Sequence, residues 1–133
     1  MRRLALLGLV VLLAACDSAD DVVAIPGDVI VDVTADGLLR VSTESLDYCG
    51  VPLYVDSETR RATVDVTVRG VASASVRCDA LAAADWAVAL PASSPVEVTV
   101  RHRSAADRYE VRATDGGLDL VALRTSTTRP GPR

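Results

Sequence analysis

Strict alternation of valine with polar residues is the feature that most constrains the fold of this chain. In residues 63–69 valine occupies every second position between threonine, aspartate and arginine, and residues 96–101 repeat the pattern. A period of two places alternate side chains on opposite faces of a strand, so each segment predicts a strand with one buried face. An α-helix would distribute the same valines around its circumference.

Turn signals separate the alternating segments. Asp36-Gly37 is a strong hairpin signal, and "SAAD" at 104–107 and "DGG" at 115–117 divide the C-terminal third into further strands. We count seven to eight short strands, which favours an all-β, antiparallel sandwich. One exception is "DALAAAD" at 79–85, where Asp79 caps a predicted helical turn.

The strand pattern also predicts which side chains form the core. In the strands around residues 100 and 110 we place Val96, Val98, Val100, Tyr109 and Val111 inside, and Glu97, Thr99, Arg101, Glu110 and Arg112 outside. Trp86 is the only large aromatic anchor that we expect in an otherwise aliphatic core. The strand count and a pair of cysteines resemble an immunoglobulin- or fibronectin-type sandwich.

The N-terminus has the organisation of a secretory signal peptide. Arg2 and Arg3 precede an uninterrupted apolar run over residues 4–15. Spanning a bilayer takes about 20 apolar residues, so this run is short for a transmembrane helix. It ends in Leu13-Ala14-Ala15-Cys16, and aspartates follow.

This ending resembles the lipobox of bacterial lipoproteins: leucine, two small residues and an invariant cysteine. The resemblance covers residues 1–16 and implies lipidation of Cys16 with cleavage after Ala15. The protein would then be lipid-anchored at the cell envelope, outside the cytoplasm. Asp17 resembles the inner-membrane retention signal of enteric bacteria, but other bacteria sort differently, so we leave inner and outer membrane open.

The predicted organisation has four parts. Residues 1–15 are a signal peptide, 16–27 an acidic tether ending in Pro26-Gly27, 28–124 the β-sandwich domain and 125–133 a disordered tail.

Two cysteines remain after Cys16. Cys49 and Cys78 are an even pair in an oxidising compartment, where pairing is the rule. A bond between them would close a loop of about 30 residues and contribute roughly 3.6 kcal/mol in the chain-entropy model. The alternatives are free thiols or a metal pair, and neither has a supporting histidine or third cysteine nearby.

The chain carries 14 basic and 18 acidic residues, and this balance argues against nucleic acid as a partner. The charges are uneven, because residues 101–133 hold seven arginines and four acidic residues. With "SAAD" as a four-residue loop, Arg103 would lie opposite Arg108 and Arg101 opposite Glu110. Arg101, Arg103, Arg108 and Arg112 would then form a surface for an anionic or protein partner, or a solvated sheet face.

Catalytic and metal-binding patterns lack essential parts. His102 is the only histidine, and its place on the valine face predicts a half-buried structural role. Zinc needs about four close ligands, which one histidine and two cysteines do not supply. Asp115 and Asp119 flank a glycine turn but lack the further carboxylates of a calcium loop. We expect no enzyme activity and no metal or cofactor.

Two functions fit these observations. The first is a membrane-anchored envelope lipoprotein whose small β domain acts as a binding or structural module. The alternative is an inhibitor of an envelope or secreted hydrolase, which would present the loop Asp47–Pro52 or Ser104–Asp107 to its target.

Overall fold

The computed structural model describes residues 21–72 and 80–132, and this part of the chain folds into two packed β-sheets. The all-β sandwich is therefore confirmed. Ten strands are described: β1 (Val22–Val23), β2 (Val29–Val33), β3 (Leu38–Thr43), β4 (Leu53–Thr59), β5 (Thr63–Ala72), β6 (Asp85–Ala89), β7 (Val96–His102), β8 (Ala105–Thr114), β9 (Gly117–Arg124) and β10 (Thr128–Pro130).

Both sheets are mixed rather than antiparallel throughout. The larger sheet has β4, β5, β7, β8 and β9 side by side, with β1 beside the end of β5, and the smaller has the order β10-β2-β3-β6. β5 and β7 are parallel, and so are β10 and β2. The chain crosses to β6 in the other sheet before it returns as β7, and such a crossover permits a parallel pair. The strands of the predicted antiparallel sandwich are antiparallel to their neighbours except in these two pairs.

The predicted alternation is confirmed in the long strands. In β5 and β7 the valines at 64, 66, 96, 98 and 100 are almost fully buried between the two sheets. The polar side chains that alternate with these valines lie on the outer face and are partly or fully exposed: Asp65, Glu97, Thr99 and Arg101. Tyr109 is the largest fully buried side chain, whereas Trp86 lies on the edge strand β6 and is only partly buried.

The sandwich has two ends, and the chain enters at the one we call the proximal end. There β1 pairs with the last residues of β5, so that Val22 lies opposite Ala72. The β7–β8 turn and the start of β2 lie at the same end, where His102 contacts Gly27. The opposite, distal end carries the turns that follow β2, β4 and β8, together with the loop before β7.

The predicted tether and the predicted tail both contain strands where the structure describes them. In the predicted tether, Val22 and Val23 form β1, and Ile25 is buried with 3% exposure. Gly70 permits the close approach of β1 to β5, because a Cβ at position 70 would lie only 2.1 Å from the carbonyl oxygen of Val23. In the predicted tail, β10 adds to the smaller sheet and Thr128 is buried. The prediction of a disordered tail is wrong, and ten strands replace the seven to eight expected.

The predicted helical turn over 79–85 is also wrong in the part that the structure describes. The carbonyl of Ala82 accepts hydrogen bonds from the amides of Tyr48 and Gly50, and Asp85 begins β6. Tertiary hydrogen bonds thus replace the helical ones that alanine favours. The weaker strand predicted at 73–78 lies outside the described residues.

Candidate functional site

The β7–β8 hairpin is tighter than its sequence predicts. The turn contains only Arg103 and Ser104, so Arg101 lies opposite Ala106 and Arg108 opposite Thr99. The predicted pairs of Arg103 with Arg108 and Arg101 with Glu110 are therefore wrong. The shift is an even number of residues, which preserves the predicted inner and outer faces.

Each arginine of the predicted partner surface forms an ion pair. Three of the pairs join neighbouring strands or loops, and the fourth joins two residues of β8. The pairs are Arg101–Asp65 at 3.2 Å, Arg103–Asp28 at 2.8 Å, Arg108–Glu97 at 2.6 Å and Arg112–Glu110. Acids thus offset the positive charge that the sequence offers to an anionic partner. Such exposed pairs contribute at most about 1 kcal/mol each.

A buried polar cluster links this hairpin to the C-terminal strand. One oxygen of Asp107, Oδ2, accepts hydrogen bonds from the amides of Thr127 at 2.9 Å and Thr128 at 2.7 Å. The Thr128 hydroxyl donates to the same oxygen at 2.7 Å. Because that hydroxyl has one proton, the Tyr109 hydroxyl donates to Thr128 Oγ1 across 2.6 Å. The cluster joins the two sheets where β8 and β10 meet.

The cluster stabilises ionised Asp107 and neutral Tyr109. Burial raises the pKa of Asp107, but hydrogen bonds from Ser126, Thr128 and Thr127 outweigh this effect and hold the pKa below its ordinary value of 3.8. Within the described chain, the second oxygen, Oδ1, is buried without a hydrogen-bond partner. Burial and the charge of Asp107 raise the pKa of Tyr109, against the lowering effect of Thr128.

Sequence reasoning misses this cluster, because Asp107 follows two alanines and ends the segment at 104–107 that predicts a turn. An aspartate two residues before an inward-facing tyrosine is the only available signal, since a period of two puts Asp107 and Tyr109 on the same face.

His102 and Arg103 join the hairpin to the segment that precedes β2. His102 is buried, and its Nε2 lies 2.8 Å from the carbonyl oxygen of Gly27, so Nε2 donates the hydrogen bond. Arg103 donates to the carbonyl of Pro26 at 2.8 Å. His102 is more fully buried than predicted, and its contact is structural.

Metal ligands do not cluster in the described part of the chain. No group of three or more histidine, cysteine, aspartate or glutamate side chains there is arranged to hold a metal ion. Asp115 belongs to the β8–β9 turn, and Asp119 lies in β9 opposite Arg112.

Two of the three cysteines, Cys16 and Cys78, lie outside the described residues. Cys49 belongs to a loop in which Cys49 and Gly50 have positive φ angles of 56° and 67°. The amides on either side of Cys49, from Tyr48 and Gly50, donate to Ala82 at 3.2 and 3.3 Å. The Cys49 loop is thus held against the segment that follows Cys78. Across residues 21–72 and 80–132, no helix is long and apolar enough to cross a membrane.

Two concave surfaces meet at Leu118, which is 41% exposed. The first, the distal cleft, has a volume of about 350 Å³ and lies between the β2–β3 turn, the loop before β7 and the ends of β8 and β9. Its apolar lining includes Leu90, Pro91, Val96 and Val111. The second, the β9 groove, has a volume of about 650 Å³ and follows β9 toward the C-terminus.

Comparison with known proteins leaves the chain unassigned. No family model, no curated protein and no solved structure matches it. The predicted resemblance to an immunoglobulin- or fibronectin-type sandwich is therefore not supported by a match to a solved structure.

Proposed function

We propose that this protein is a lipid-anchored lipoprotein of the bacterial cell envelope whose β-sandwich is a non-catalytic binding module. The lipobox ending at Cys16 supports the anchor. The main structural support is the placement of the distal cleft, which lies at the opposite end of the sandwich from the point where the chain enters.

The tether between anchor and domain is short. Four residues lie between Cys16 and Asp21, where the described chain begins, so the five steps from one Cα to the other span at most about 17 Å. β1 follows directly and pairs with β5 at the proximal end. A lipid on Cys16 therefore holds the proximal end near the membrane and directs the distal end away from it.

The distal cleft is then the surface best placed to meet another envelope component. Its volume lies within the range of small-ligand and side-chain pockets. The lining is mostly aliphatic, with two serines from the loop before β7. Ser94 Oγ accepts a hydrogen bond from the amide of Ala113 at 3.1 Å, so this loop is attached to β8 rather than free to fill the cleft.

We also propose that Cys49 and Cys78 form a disulfide. Support comes from the hydrogen bonds that hold the Cys49 loop against Ala82, four residues beyond Cys78. A disulfide there would join the loop before β4 to the connection between β5 and β6, which belong to different sheets.

The inhibitor alternative has less support. Ser104–Asp107 does not form a protruding loop, because the turn has only two residues and Asp107 is buried. The loop Asp47–Pro52 is partly exposed, but it lies at the proximal end, next to the proposed anchor.

A labelling experiment tests the anchor. Cells that express the full chain and its Cys16→Ala variant are fed a clickable palmitate analogue. We expect label only on the parent and an uncleaved precursor from the variant. Equal labelling of both would contradict lipidation at Cys16.

Capture from solubilised membranes tests the binding module. Leu90→Glu in the distal cleft is compared with Leu81→Glu, since Leu81 is 67% exposed and lies outside the cleft. We expect the parent and Leu81→Glu to recover the same partner and Leu90→Glu to lose it. Recovery of no reproducible partner by the parent would overturn the proposal.

A further inference from the structure

We infer that the proximal end of the sandwich rests on the lipid bilayer through an apolar patch, which consists of the side chains of Leu46 and Leu81. The inference rests on the proposed lipid anchor at Cys16 and adds a second membrane contact, made by the folded domain itself. The anchor and the patch together would fix how the domain stands on the membrane.

Leu46 and Leu81 lie side by side at the proximal end. β3 ends at Thr43 beside the start of β2, so the loop that follows β3 lies at this end. In this loop Asp47 forms a parallel bridge with Ala82, and the two leucines directly precede the bridged residues. They are the most exposed large apolar side chains of the described chain, at 54% and 67%.

Exposed apolar side chains are concentrated at this end of the molecule. In the described part of the chain, six large apolar side chains are well exposed: Val22, Val23, Leu46, Leu81, Leu118 and Leu123. Four of the six belong to β1 or the patch, whereas Leu118 lies at the distal end and Leu123 lies in β9. Single exposed apolar residues are normal on a protein surface, but several at one end indicate a surface for a protein or a membrane.

The two segments that carry the patch are fixed to the sandwich. Tyr48 packs against the core, and its amide donates to the carbonyl of Ala82 at 3.2 Å. The amide of Ala84 donates to the hydroxyl of Thr43 at 3.0 Å inside the protein. The patch is therefore a firm surface, and it loses little conformational entropy when it meets a partner.

The proposed anchor identifies the bilayer as the surface that this end faces. The chain from Cys16 to Asp21 spans at most about 17 Å, and β1 begins at the next residue. A short link to a lipid already in the bilayer makes the second contact intramolecular, with an effective concentration on the order of millimolar. A weak contact is then sufficient, and the two leucines gain free energy by leaving water.

The contact is apolar, because the charges at the proximal end offer no net attraction to anionic lipid. Its ion pairs are balanced: Arg103–Asp28 and Arg129–Glu44. Asp21 and Asp47 are exposed acids at the same end. We therefore expect the patch to meet neutral lipid and to gain nothing from anionic lipid.

Paramagnetic broadening in nanodiscs tests the contact. The full, lipidated protein is placed in phosphatidylcholine nanodiscs that contain a lipid with a doxyl spin label near its glycerol end, and the leucine methyl signals are recorded. The ten residues of β8 join the two ends, so an upright domain holds its distal end up to about 30 Å further out.

Because broadening falls with the sixth power of distance, we expect it to be at least tenfold stronger at Leu46 and Leu81 than at Leu118. Equal broadening at the two ends of the lipidated protein would overturn the inference.

A matched pair of variants assigns the contact to the patch. Leu81→Glu is compared with Leu123→Glu, since Leu123 is also exposed and lies in β9. We expect Leu81→Glu to lose at least half of the broadening at the methyls of Val22 and Val23, and Leu123→Glu to keep it. Equal broadening in the two variants would contradict the patch, and if Leu81→Glu fails to fold, the broadening pattern of the parent still decides.

Two further conditions distinguish other occupants. Added phosphatidylglycerol should leave the broadening unchanged, and broadening that requires it would replace the apolar contact with a charge contact and overturn the inference. Signals of Leu46 and Leu81 that shift with the number of protein copies per disc, without lipid broadening, would identify a second copy as the occupant and also overturn it.

The anchor, the patch and the distal cleft can each fail separately. A lack of palmitate label would remove the anchor and the inference with it, whereas the nanodisc result on labelled protein concerns the patch alone. Capture through the distal cleft follows solubilisation of the membrane, so its outcome does not depend on the patch.

Discussion

At the scale of single residues, Asp107 connects sequence-distant parts of the fold. Its carboxylate is fully buried and accepts from the backbone of residues about twenty positions later. Buried carboxylates are costly unless they are hydrogen-bonded, and this one satisfies one oxygen with three donors. Thr127 adds a bond to the carbonyl of His102 at 3.1 Å.

Asp107→Asn is expected to destabilise the protein by about 2 kcal/mol at pH 7, because it removes the charge from hydrogen bonds of the stronger, charge-assisted kind. The folded-state pKa of Asp107 is below 3.8, so its contribution is complete above that value and is lost as pH falls through the folded pKa. The parent should therefore lose stability in acid more steeply than the variant.

Urea unfolding at pH 7 and at about pH 3 checks this expectation. Asp115→Asn is the matched control, since Asp115 is exposed in the β8–β9 turn. If both substitutions shift the urea midpoint equally, the buried carboxylate does not stabilise β10.

At the scale of elements, the alternation of valine predicts where strands lie and which face of each strand is buried. It does not predict which strands pair with each other. The faces of β7 and β8 depend on a local period of two, which survives an even shift in the hairpin register. The parallel pairing of β5 with β7 has no local signal, because residues 73–95, which include a strand of the other sheet, separate the two strands. β1 and β10 were missed because segments of two and three residues are too short for periodicity.

The orientation of β7 is testable with two substitutions. Val98 has 0% exposure, so Val98→Asp places an unpaired charge in the core and should cost several kcal/mol. Arg101 is half-exposed and pairs with Asp65, so Arg101→Ala should stay within about 1 kcal/mol. The urea midpoints of the two variants test this orientation. An equal loss of stability in both would mean that the outer face of β7, which carries Arg101, is buried against another surface.

At the scale of the whole molecule, composition and turn spacing predict the sandwich but not its concave surfaces. The β9 groove forms where the edge of one sheet diverges from the edge of the other, and the distal cleft forms where three connections meet. Neither depends on a local motif. The predicted arginine surface was visible in the sequence, but its acidic partners come from β5, from β7 and from the segment before β2.

The disulfide prediction also belongs to this scale. Replacing Cys49 and Cys78 with serine should lower the free energy of unfolding by about 2–5 kcal/mol, the usual range for small secreted domains. Alkylation followed by intact-mass analysis of the native protein should find neither thiol free. Full alkylation of both without denaturant would contradict the pairing.

The position of β10 also makes the fold depend on a segment that lies far from its partner β2 along the chain. β10 pairs with β2, and residues 127 and 128 supply hydrogen bonds to Asp107. A nascent chain that has not yet produced these residues leaves a carboxylate facing the core and the edge of β2 open. Residues 127 and 128 therefore complete both the donor set of Asp107 and the pairing of β2, and we expect a chain truncated before residue 127 to be less stable than the full chain.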